Sequence, residues 1–284
     1  MKQSRYLLLG IVFFLTSLIS AQAQDLISVN ELAKISKNSD VVVVWAGDED
    51  GYKVHITGAV SIPHTSLCNN DPIRNLIKPT AEMAKILGEK GVSTDKTIVV
   101  YDEGSGKYAN RMYWMLKYLG APNVKVLDGN FKAWKAGRKP VTGSPSKVAA
   151  TTFNAKPNAA LLANMDEVKK AIGNPAYAVI DARTAEEFAG TAETEIRKGH
   201  IPGASNINYE TLLDSKGMLK SKEELQSIFK DKGITSDKTA IVYCETSVRA
   251  CVLYTALKTL EYPKVKVYDG AYLEWQATAS NSVE

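Results

Sequence analysis

Short apolar runs recur along the chain and alternate with stretches in which apolar residues follow a helical period. The runs are VVVVW (41–45), TIVVY (97–101), AYAVI (176–180) and TAIVY (239–243). Nearly continuous apolar strands are typical of parallel sheets whose two faces are both covered. Capping boxes predict the starts of two amphipathic helices, at Ser28-x-x-Glu31 and Ser221-x-x-Glu224. The alternation predicts an α/β fold, in which ligands bind beyond the carboxyl ends of the strands.

This pattern occurs twice. The segment EKGVSTDKTIVVYD (89–102) matches DKGITSDKTAIVYC (231–244) without a gap, which aligns Asp102 with Cys244. Further on, VKVLDGNFKAW (124–134) matches VKVYDGAYLEW (265–275). The chain is therefore predicted to be a tandem duplication of a unit of roughly 120 residues, which is the size of a domain.

The stretch between the two copies is rich in Pro, Ser, Thr and Ala and has no sustained period, which is a linker composition. The predicted boundaries are residues 25–140 for the first domain, 141–158 for the linker and 159–280 for the second domain.

Residues 1–23 have the pattern of a secretory signal peptide. Lys2 and Arg5 precede the apolar stretch Leu7–Ile19, and Ala21-Gln22-Ala23 has the small-x-small pattern of a signal peptidase site. The apolar stretch is shorter than the span of about 20 residues that crosses a bilayer. We therefore expect a periplasmic or secreted protein with no stable membrane insertion after processing; a signal anchor is the alternative.

Charge and cysteine content narrow the function further. The chain has 35 basic and 31 acidic residues, and removal of Lys2 and Arg5 leaves it close to neutral. Nucleic-acid binding requires a clustered basic surface, and the sequence contains no basic block, so we expect no nucleic-acid partner. Three cysteines are an odd number for an exported protein, which indicates at least one free and potentially reactive thiol.

A set of motifs in the second copy resembles the rhodanese family of thiosulfate:cyanide sulfurtransferases. The motifs, in order, are Asp181-Ala182-Arg183 with Glu187-Phe188, GHIPGA (199–204), Cys244 after an apolar strand, and Asp269-Gly270 followed by Trp275. The likeness covers nearly the whole mature chain and implies two tandem rhodanese-like domains, each a mainly parallel sheet flanked by helices. It also implies a Cys244 persulfide, a small anionic sulfur donor, a thiol or cyanide acceptor, and neither a cofactor nor a metal.

The position of Cys244 gives a physical reason for this chemistry. It is followed by a loop of six residues, counted from Cys244, and then by an apolar helix predicted to begin near Ala250. A loop between a strand and a helix can turn its backbone N–H groups toward the sulfur, and the helix adds the positive end of its dipole. Both effects favour a thiolate, so no separate base is required.

The resemblance to the rhodanese family also implies roles for residues near Cys244. The residues expected to contact the substrate are Arg183, Arg249, Glu245, Thr246, Ser247 and Val248. Asp181, Glu187 and His200 are expected to be structural residues near the site. A structural role is the alternative for each of the two arginines, for example through a pairing of Arg249 with Glu187. Cys251 lies two helical turns beyond Cys244, and we expect it to pack in the core, with a redox role as the alternative.

The first copy departs from the family pattern. Asp102 stands where the second copy has Cys244, and a carboxylate cannot form a persulfide. The first copy also reads Trp45-Ala46-Gly47 in place of the Asp-x-Arg pattern, and Thr57 replaces the proline of the GHIPGA motif. We therefore expect an inactive domain that forms one wall of the cleft.

Two departures in the second copy leave the donor open. Ser247 stands where glycine is frequent in the family, and Glu245 would repel a dianion such as thiosulfate. The sequence thus predicts a thiosulfate sulfurtransferase, with a 3-mercaptopyruvate sulfurtransferase or a non-enzymatic persulfide carrier as alternatives. Phosphatases that share the fold use a Cys-x5-Arg loop, whereas Cys244 to Arg249 is Cys-x4-Arg, which argues against phosphatase activity.

Overall fold

A computed structural model describes residues 25–284 of the chain. The predicted signal peptide, residues 1–23, lies outside the described residues. Within residues 25–284, no helix is both long and apolar enough to cross a membrane.

The first domain combines a parallel sheet with helices on both sides. Its strands are β1 (Leu26–Ile27), β2 (Val41–Trp45), β3 (His55–Ile56), β4 (Val60–Ser61), β5 (Cys68–Asn69), β6 (Leu76–Ile77), β7 (Thr97–Tyr101), β8 (Val124–Leu127) and β9 (Val141–Thr142). Its helices are α1 (Val29–Ile35), α2 (Thr80–Glu89), α3 (Lys107–Tyr118) and α4 (Asn130–Ala136), with short 3-10 helices at Gly51–Lys53 and His64–Leu67.

The second domain repeats this arrangement. Its strands are β10 (Leu162–Ala163), β11 (Tyr177–Asp181), β12 (Ser205–Asn206), β13 (Thr239–Tyr243) and β14 (Val265–Tyr268). Its helices are α5 (Met165–Ala171), α6 (Ala185–Phe188), α7 (Lys222–Asp231), α8 (Ala250–Thr259) and α9 (Ala271–Ala277), with 3-10 helices at Ala159–Leu161 and Tyr209–Leu212.

The two main sheets have the same strand order. The order is β1-β8-β7-β2-β4 in the first domain and β10-β14-β13-β11-β12 in the second, and every neighbouring pair is parallel. The apolar runs predicted the central strands within one residue. These strands are buried because helices cover both faces of each sheet. The α/β fold expected from the sequence is confirmed.

The predicted helix starts are also confirmed. Ser28 caps α1 and Ser221 caps α7, and in each case the glutamate at the third helical position completes a capping box. A third capping box joins Thr184 to Glu187 at the start of α6. It positions Glu187 for the contact described below.

The two domains are related by an approximate two-fold arrangement, with α3 packed on α8 between the sheets. The rings of Tyr113 and Tyr254, from equivalent turns of these helices, lie 6.1 Å apart. The Ile77 N–H donates to Asp269 Oδ2 at 2.9 Å. The equivalent N–H of Leu219 donates to Asp128 Oδ1 at 3.2 Å. Each domain therefore places a hairpin over the other, and one apolar core includes residues of both.

The predicted linker lies along the first domain. Its first residues, Val141–Thr142, form strand β9 and pair antiparallel with β3. Farther along, Thr151 N–H donates to Gly88 O at 2.9 Å and the Phe153 side chain is buried. Between β9 and the 3-10 helix that begins at Ala159 the segment contains no regular element. The two-residue strand β9 was not predicted from the sequence.

Candidate active site

Cys244 lies directly after β13, at the carboxyl end of the second sheet. The Ala182 N–H donates to Tyr243 O at 2.8 Å, so strands β11 and β13 end side by side there. The Cys244 carbonyl accepts a hydrogen bond from Tyr272 N–H of α9 at 2.9 Å. The Cys244 side chain is 0% exposed and belongs to the apolar core that both domains share. The thiol is therefore buried where the two domains meet.

The loop after Cys244 is held in a defined conformation, and α8 begins at Ala250 as predicted. Ser247 has a φ of 59°, in the left-handed region that favours glycine. Its buried hydroxyl donates to Tyr268 O of β14, and its carbonyl accepts a hydrogen bond from Cys251 Sγ at 3.2 Å. These two contacts stabilise a conformation that is unfavourable for serine.

The equivalent loop of the first domain binds an anion that belongs to the protein itself. Asp102 is fully buried at the position of Cys244. Its carboxylate accepts hydrogen bonds from the backbone N–H groups of Gly104 (2.8 Å), Gly106 (3.0 Å), Tyr108 (3.1 Å) and Ala109 (3.3 Å), and from Ser105 Oγ (3.3 Å). Burial raises the pKa of Asp102, and the backbone hydrogen bonds, which favour the charged form, oppose that rise. This loop is thus an amide-lined site for a negative charge.

Arg249 closes the loop of the second domain and makes a two-pronged ion pair. Its Nη1 and Nη2 lie 2.6 and 2.8 Å from the Glu187 carboxylate oxygens. Burial alone would raise the pKa of Glu187, but hydrogen bonds from Arg249 and from Thr184 N–H outweigh burial and lower it. The structural pairing of Arg249 with Glu187 is present, and Arg249 also lines the cleft; its role in substrate binding stays a prediction.

Arg183 does not occupy the position expected for a substrate anchor. Its side chain is 2% exposed and pairs with Asp181, with Nη2 at 2.7 Å from Oδ2. It also donates to Gly199 O at 2.8 Å and stacks on the Tyr272 ring. Because its hydrogen-bonding groups face protein atoms and its charge is neutralised by Asp181, the guanidinium stabilises the fold beside the sheet and does not line the cleft.

His200 has the contacts of a structural residue. Its ring stacks on Phe188 with centroids 3.6 Å apart, and its Nδ1 is hydrogen-bonded to Phe188 O at 2.9 Å. The ring therefore ties α6 to the segment that carries the GHIPGA motif. Asp181, through its pair with Arg183, has an equally local role.

A cleft of about 650 Å³ lies over the Cys244 loop and is lined by both domains. The second domain contributes Glu245, Thr246, Val248 and Arg249, which were expected to contact the substrate, and also Glu187. Ser247 is buried beneath them. The first domain contributes His64, Arg74, Lys107 and Tyr108, among others. A larger cavity of about 770 Å³, beside Asp48 and Tyr52, contains none of the expected site residues.

The first-domain residues of the cleft were missed at the sequence level. Lys107 and Tyr108 directly follow the first-domain loop, so the alignment of the two copies could have placed them near the start of a helix that faces the site. Arg74 had no such signal, because it lies in the turn of the β5–β6 hairpin within a polar stretch. Its Nη2 lies 2.5 Å from Glu245 Oε1.

The imidazole of His64 stacks on Tyr108 with ring centroids 4.6 Å apart. Burial, with a further contribution from the positive charge of Arg111, lowers the pKa of His64 to about 4. The imidazole is therefore neutral at neutral pH and adds no positive charge to the cleft.

The other two thiols are buried and distinct from the cleft. Burial raises the pKa of Cys251 to about 12 and also raises the pKa of Cys68. All three cysteines are free. Among residues 25–284, no three His, Cys, Asp or Glu side chains are placed to hold a metal ion. The site thus places the Cys244 thiol at the start of a loop, with Arg74, Lys107 and Arg249 lining the cleft over that loop.

Comparison with known proteins agrees with this geometry. The family model for the rhodanese-like domain matches the sequence twice, over residues 28–137 and over residues 164–278. The chain belongs to the rhodanese family. Both domains are therefore rhodanese-like domains, and the family resemblance inferred from the motifs is confirmed.

Two members of the rhodanese family illustrate the degree of similarity. The thiosulfate sulfurtransferase of Gallus gallus is 36% identical over 226 residues, which cover 78% of this chain and 78% of the relative. The 3-mercaptopyruvate sulfurtransferase of Escherichia coli K12 is 35% identical over 234 residues, which cover 81% of this chain and 83% of the relative.

Solved structures show the same architecture. The crystal structure of SseA from Escherichia coli, a 3-mercaptopyruvate sulfotransferase, matches with a TM-score of 0.80 and 32% identity over 87% of this chain and 98% of that chain. An anaerobic ergothioneine biosynthesis enzyme from Chlorobium limicola matches with a TM-score of 0.85 over 93% of this chain and 71% of that chain. At 22% identity, the second likeness concerns the fold alone.

Proposed function

We propose that this rhodanese-family protein is a sulfurtransferase that carries sulfur as a persulfide on Cys244. With thiosulfate as donor, the Cys244 thiolate attacks the outer sulfur atom, the sulfur–sulfur bond of the donor breaks, and sulfite leaves. The product is Cys244–S–S⁻. Cyanide or a thiolate acceptor then attacks the terminal sulfur. The bond between that sulfur and Cys244 Sγ breaks, thiocyanate or the persulfide of the acceptor leaves, and the Cys244 thiolate is regenerated.

One observation carries this proposal: the first-domain loop holds the Asp102 carboxylate with four backbone N–H groups. The second domain has a loop in the equivalent place, between Cys244 at the end of β13 and Ala250 at the start of α8. The terminal sulfur of a persulfide on Cys244 is an anion beyond Sγ, much as a carboxylate oxygen lies beyond Cβ. We infer that the second loop stabilises that sulfur in the same way.

Access to the thiol requires a local movement. The Cys244 side chain is 0% exposed, and a donor has to contact Sγ in order to react with it. Glu245, Thr246 and Val248 line the cleft, whereas Cys244 does not, so a shift of this loop or a rotation of the Cys244 side chain precedes sulfur transfer. Loop motions of this kind accompany many enzymatic steps.

The donor is an anion in both candidate reactions. Thiosulfate carries a dianionic end and 3-mercaptopyruvate carries a carboxylate, and relatives bearing each name are about equally similar to this chain. We propose thiosulfate as the donor, with 3-mercaptopyruvate as the alternative, and parallel turnover measurements with the two compounds distinguish them.

Intact mass measurement tests the persulfide directly. Incubation with thiosulfate is expected to add about 32 Da, one sulfur atom, to each chain, and peptide mapping is expected to locate it on Cys244. Cys244→Ser is expected to abolish both the mass gain and the formation of thiocyanate. The matched control is Cys68→Ala, which removes a buried thiol of the first domain and is expected to retain both.

Three outcomes would contradict the proposal in different ways. A Cys244→Ser variant that keeps most of the turnover would refute the nucleophile. Two added sulfur atoms per chain would contradict an inactive first domain. Sulfur uptake without turnover of any acceptor would indicate a persulfide carrier. For the enzyme, we expect parallel double-reciprocal plots, because a covalent intermediate separates the two half-reactions.

We also propose that the protein is exported. The support is the sequence of residues 1–23, with its basic start, short apolar stretch and Ala21-Gln22-Ala23 site. Edman sequencing of the mature protein from a periplasmic or extracellular fraction is expected to begin near Gln24.

A further inference from the structure

The first domain reaches into the active-site cleft through the β5–β6 hairpin. Arg74, in the turn of this hairpin, places Nη2 at 2.5 Å from Glu245 Oε1, although its side chain is 58% exposed. Glu245 directly follows Cys244 in the sequence. The contact therefore joins a cation of the inactive domain to a residue adjacent to the nucleophile.

The hairpin is fixed at its base, so Arg74 is presented in a defined place. Arg111 donates to Asn75 O at 2.8 Å and pairs with Asp269 of the second domain. Asp269 also accepts the N–H of Ile77 at 2.9 Å. The backbone on the carboxyl side of Arg74 is thus anchored across the domain boundary, while the Arg74 side chain remains free to change partners.

The charges in the cleft single out two cations for an anionic ligand. Arg249 is already engaged in the two-pronged pair with Glu187. Lys107 is in no ion pair among the described residues, and its Nζ lies 4.9 Å from the centre of the Tyr108 ring. Lys107 is the first residue of α3 and lines the cleft. Arg74 and Lys107 are therefore the cations that can turn toward a ligand.

We propose that Arg74 and Lys107 bind the anionic end of the sulfur donor, and that Glu245 occupies Arg74 only while the cleft is empty. The inference rests on the proposed function, since it assigns the donor's binding site. When the donor enters, its oxyanion takes the place of the Glu245 carboxylate on Arg74. Glu245 then remains near Arg249, whose Nη2 lies 3.8 Å from Glu245 Oε2, and shares that cation with Glu187.

Displacement of Glu245 from Arg74 by the donor costs little free energy. An exposed ion pair contributes only about 0–1 kcal/mol, so a doubly charged donor can displace Glu245 at small cost. This arrangement also resolves the conflict noted from the sequence, in which Glu245 was expected to repel a dianion. A carboxylate paired with Arg74 and close to Arg249 does not present an uncompensated negative charge to the incoming donor.

If the donor displaces Glu245 from Arg74, substitutions of these two residues change the KM for thiosulfate in opposite directions. Arg74→Ala is expected to raise the KM for thiosulfate about tenfold with kcat changed little, because it removes a charge-assisted contact present throughout the reaction. Glu245→Gln is expected to lower KM, because Arg74 then has no competing anion. In the Arg74→Ala background, Glu245→Gln is expected to lower KM much less than it does in the wild-type protein. Arg74→Lys is expected to retain part of the affinity for thiosulfate that Arg74→Ala loses.

The duplicated chain supplies matched controls. Lys216 lies three residues before Leu219, as Arg74 lies three residues before Ile77, in the hairpin that the second domain places over the inactive loop. Glu103 directly follows Asp102, as Glu245 directly follows Cys244. Lys216→Ala and Glu103→Gln remove the same charges beside the loop that holds Asp102. Both are expected to leave the KM for thiosulfate unchanged.

Equilibrium binding keeps the test independent of turnover. Calorimetric titration of Cys244→Ser with thiosulfate measures binding where sulfur transfer cannot occur, and Arg74→Ala in that background is expected to weaken binding about tenfold. Unchanged thiosulfate binding after Arg74→Ala would overturn the inference, as would equal losses from Arg74→Ala and Glu245→Gln, which indicate a structural pair. Absence of sulfur uptake by the wild-type protein would instead refute the proposed function.

Discussion

At the residue scale, the two arginines that follow strands of the second sheet have different surroundings: Arg249 lines the cleft, whereas Arg183 is buried against Asp181 and Tyr272. Cys244 and Arg249 follow an apolar strand and precede a helix, so their placement at the edge of the sheet could be inferred. Arg183 follows a strand in the same way, but the spacing does not determine where a long side chain points. Its guanidinium packs between Asp181 and the Tyr272 ring, 4.0 Å from the ring centroid. Tyr272 is distant from Arg183 in the sequence. Asp181 is only two residues away, but this spacing alone does not predict the ion pair.

His64 provides a prediction at this scale. Its pKa is lowered from 6.5 to about 4 by burial and by the charge of Arg111. The unfolded chain therefore binds a proton as the pH falls below 6.5, whereas the folded protein does so only near pH 4. The free energy of unfolding is expected to fall by up to about 3 kcal/mol across that interval because of His64 alone.

His64→Gln is expected to flatten this part of the stability profile, measured by urea unfolding at a series of pH values between 4 and 7. His55→Gln, which replaces a buried histidine outside the cleft, is the control. An unchanged slope in the His64→Gln variant would show that the imidazole is not shielded from protons in the folded state.

At the scale of elements, local patterns predicted the regular structure well. The central strands and the capped starts of α1 and α7 depend on neighbouring residues only, which is why they could be read from the chain. The hairpin β5–β6 was not predicted, because two-residue strands have too few positions to show a period. Its importance comes from a long-range contact, between Arg74 and Glu245, that no local pattern contains.

The loop that surrounds Asp102 gives the second prediction. Asp102→Asn exchanges one carboxylate oxygen for an NH2 group, so buried N–H donors lose their acceptor. The free energy of unfolding is expected to fall by about 2 kcal/mol, as measured by urea denaturation.

Asp214→Asn is the comparison variant for Asp102→Asn. Asp214 Oδ1 also accepts two backbone N–H groups, from Lys216 and Met218, but in an exposed turn where water can replace it. Its effect is expected to be below about 1 kcal/mol. If Asp102→Asn were equally mild, the loop amides would have little need of an anion, and the parallel with the Cys244 persulfide would be lost.

At the scale of the whole molecule, the repeat predicted two domains but not how they pack. The alignment of the two copies is a property of the sequence, whereas the contact of α3 with α8 depends on which apolar faces meet. The reciprocal hydrogen bonds of Ile77 and Leu219 show that each hairpin crosses to the other domain. The sequence predicted that the first domain forms one wall of the cleft. It did not predict that Arg74 and Lys107 lie in that wall.

Arg111 is the residue whose loss is expected to affect both domains. It is 0% exposed and pairs with Asp269, which is itself nearly buried. Arg111→Met is expected to lower the free energy of unfolding by about 3–5 kcal/mol, because it leaves a buried carboxylate without its partner. Chemical denaturation followed by tryptophan fluorescence measures the change.

The double variant Arg111→Met/Asp269→Leu is expected to recover part of that loss, since no uncompensated charge remains. It is also expected to have a raised KM for thiosulfate, because the hairpin that carries Arg74 is no longer anchored. Additive losses in the double variant would indicate that the two residues stabilise the fold separately.

The approximate two-fold relation between the domains has a consequence for how such a site can evolve. In a homodimer of identical subunits, each substitution appears at both clefts, so an aspartate in one loop would remove the nucleophile from both. Covalent fusion of the two copies lifts that restriction. One copy can lose its chemistry and specialise in shaping the neighbouring cleft, with Arg74 and Lys107 altered at no risk to the thiol they serve.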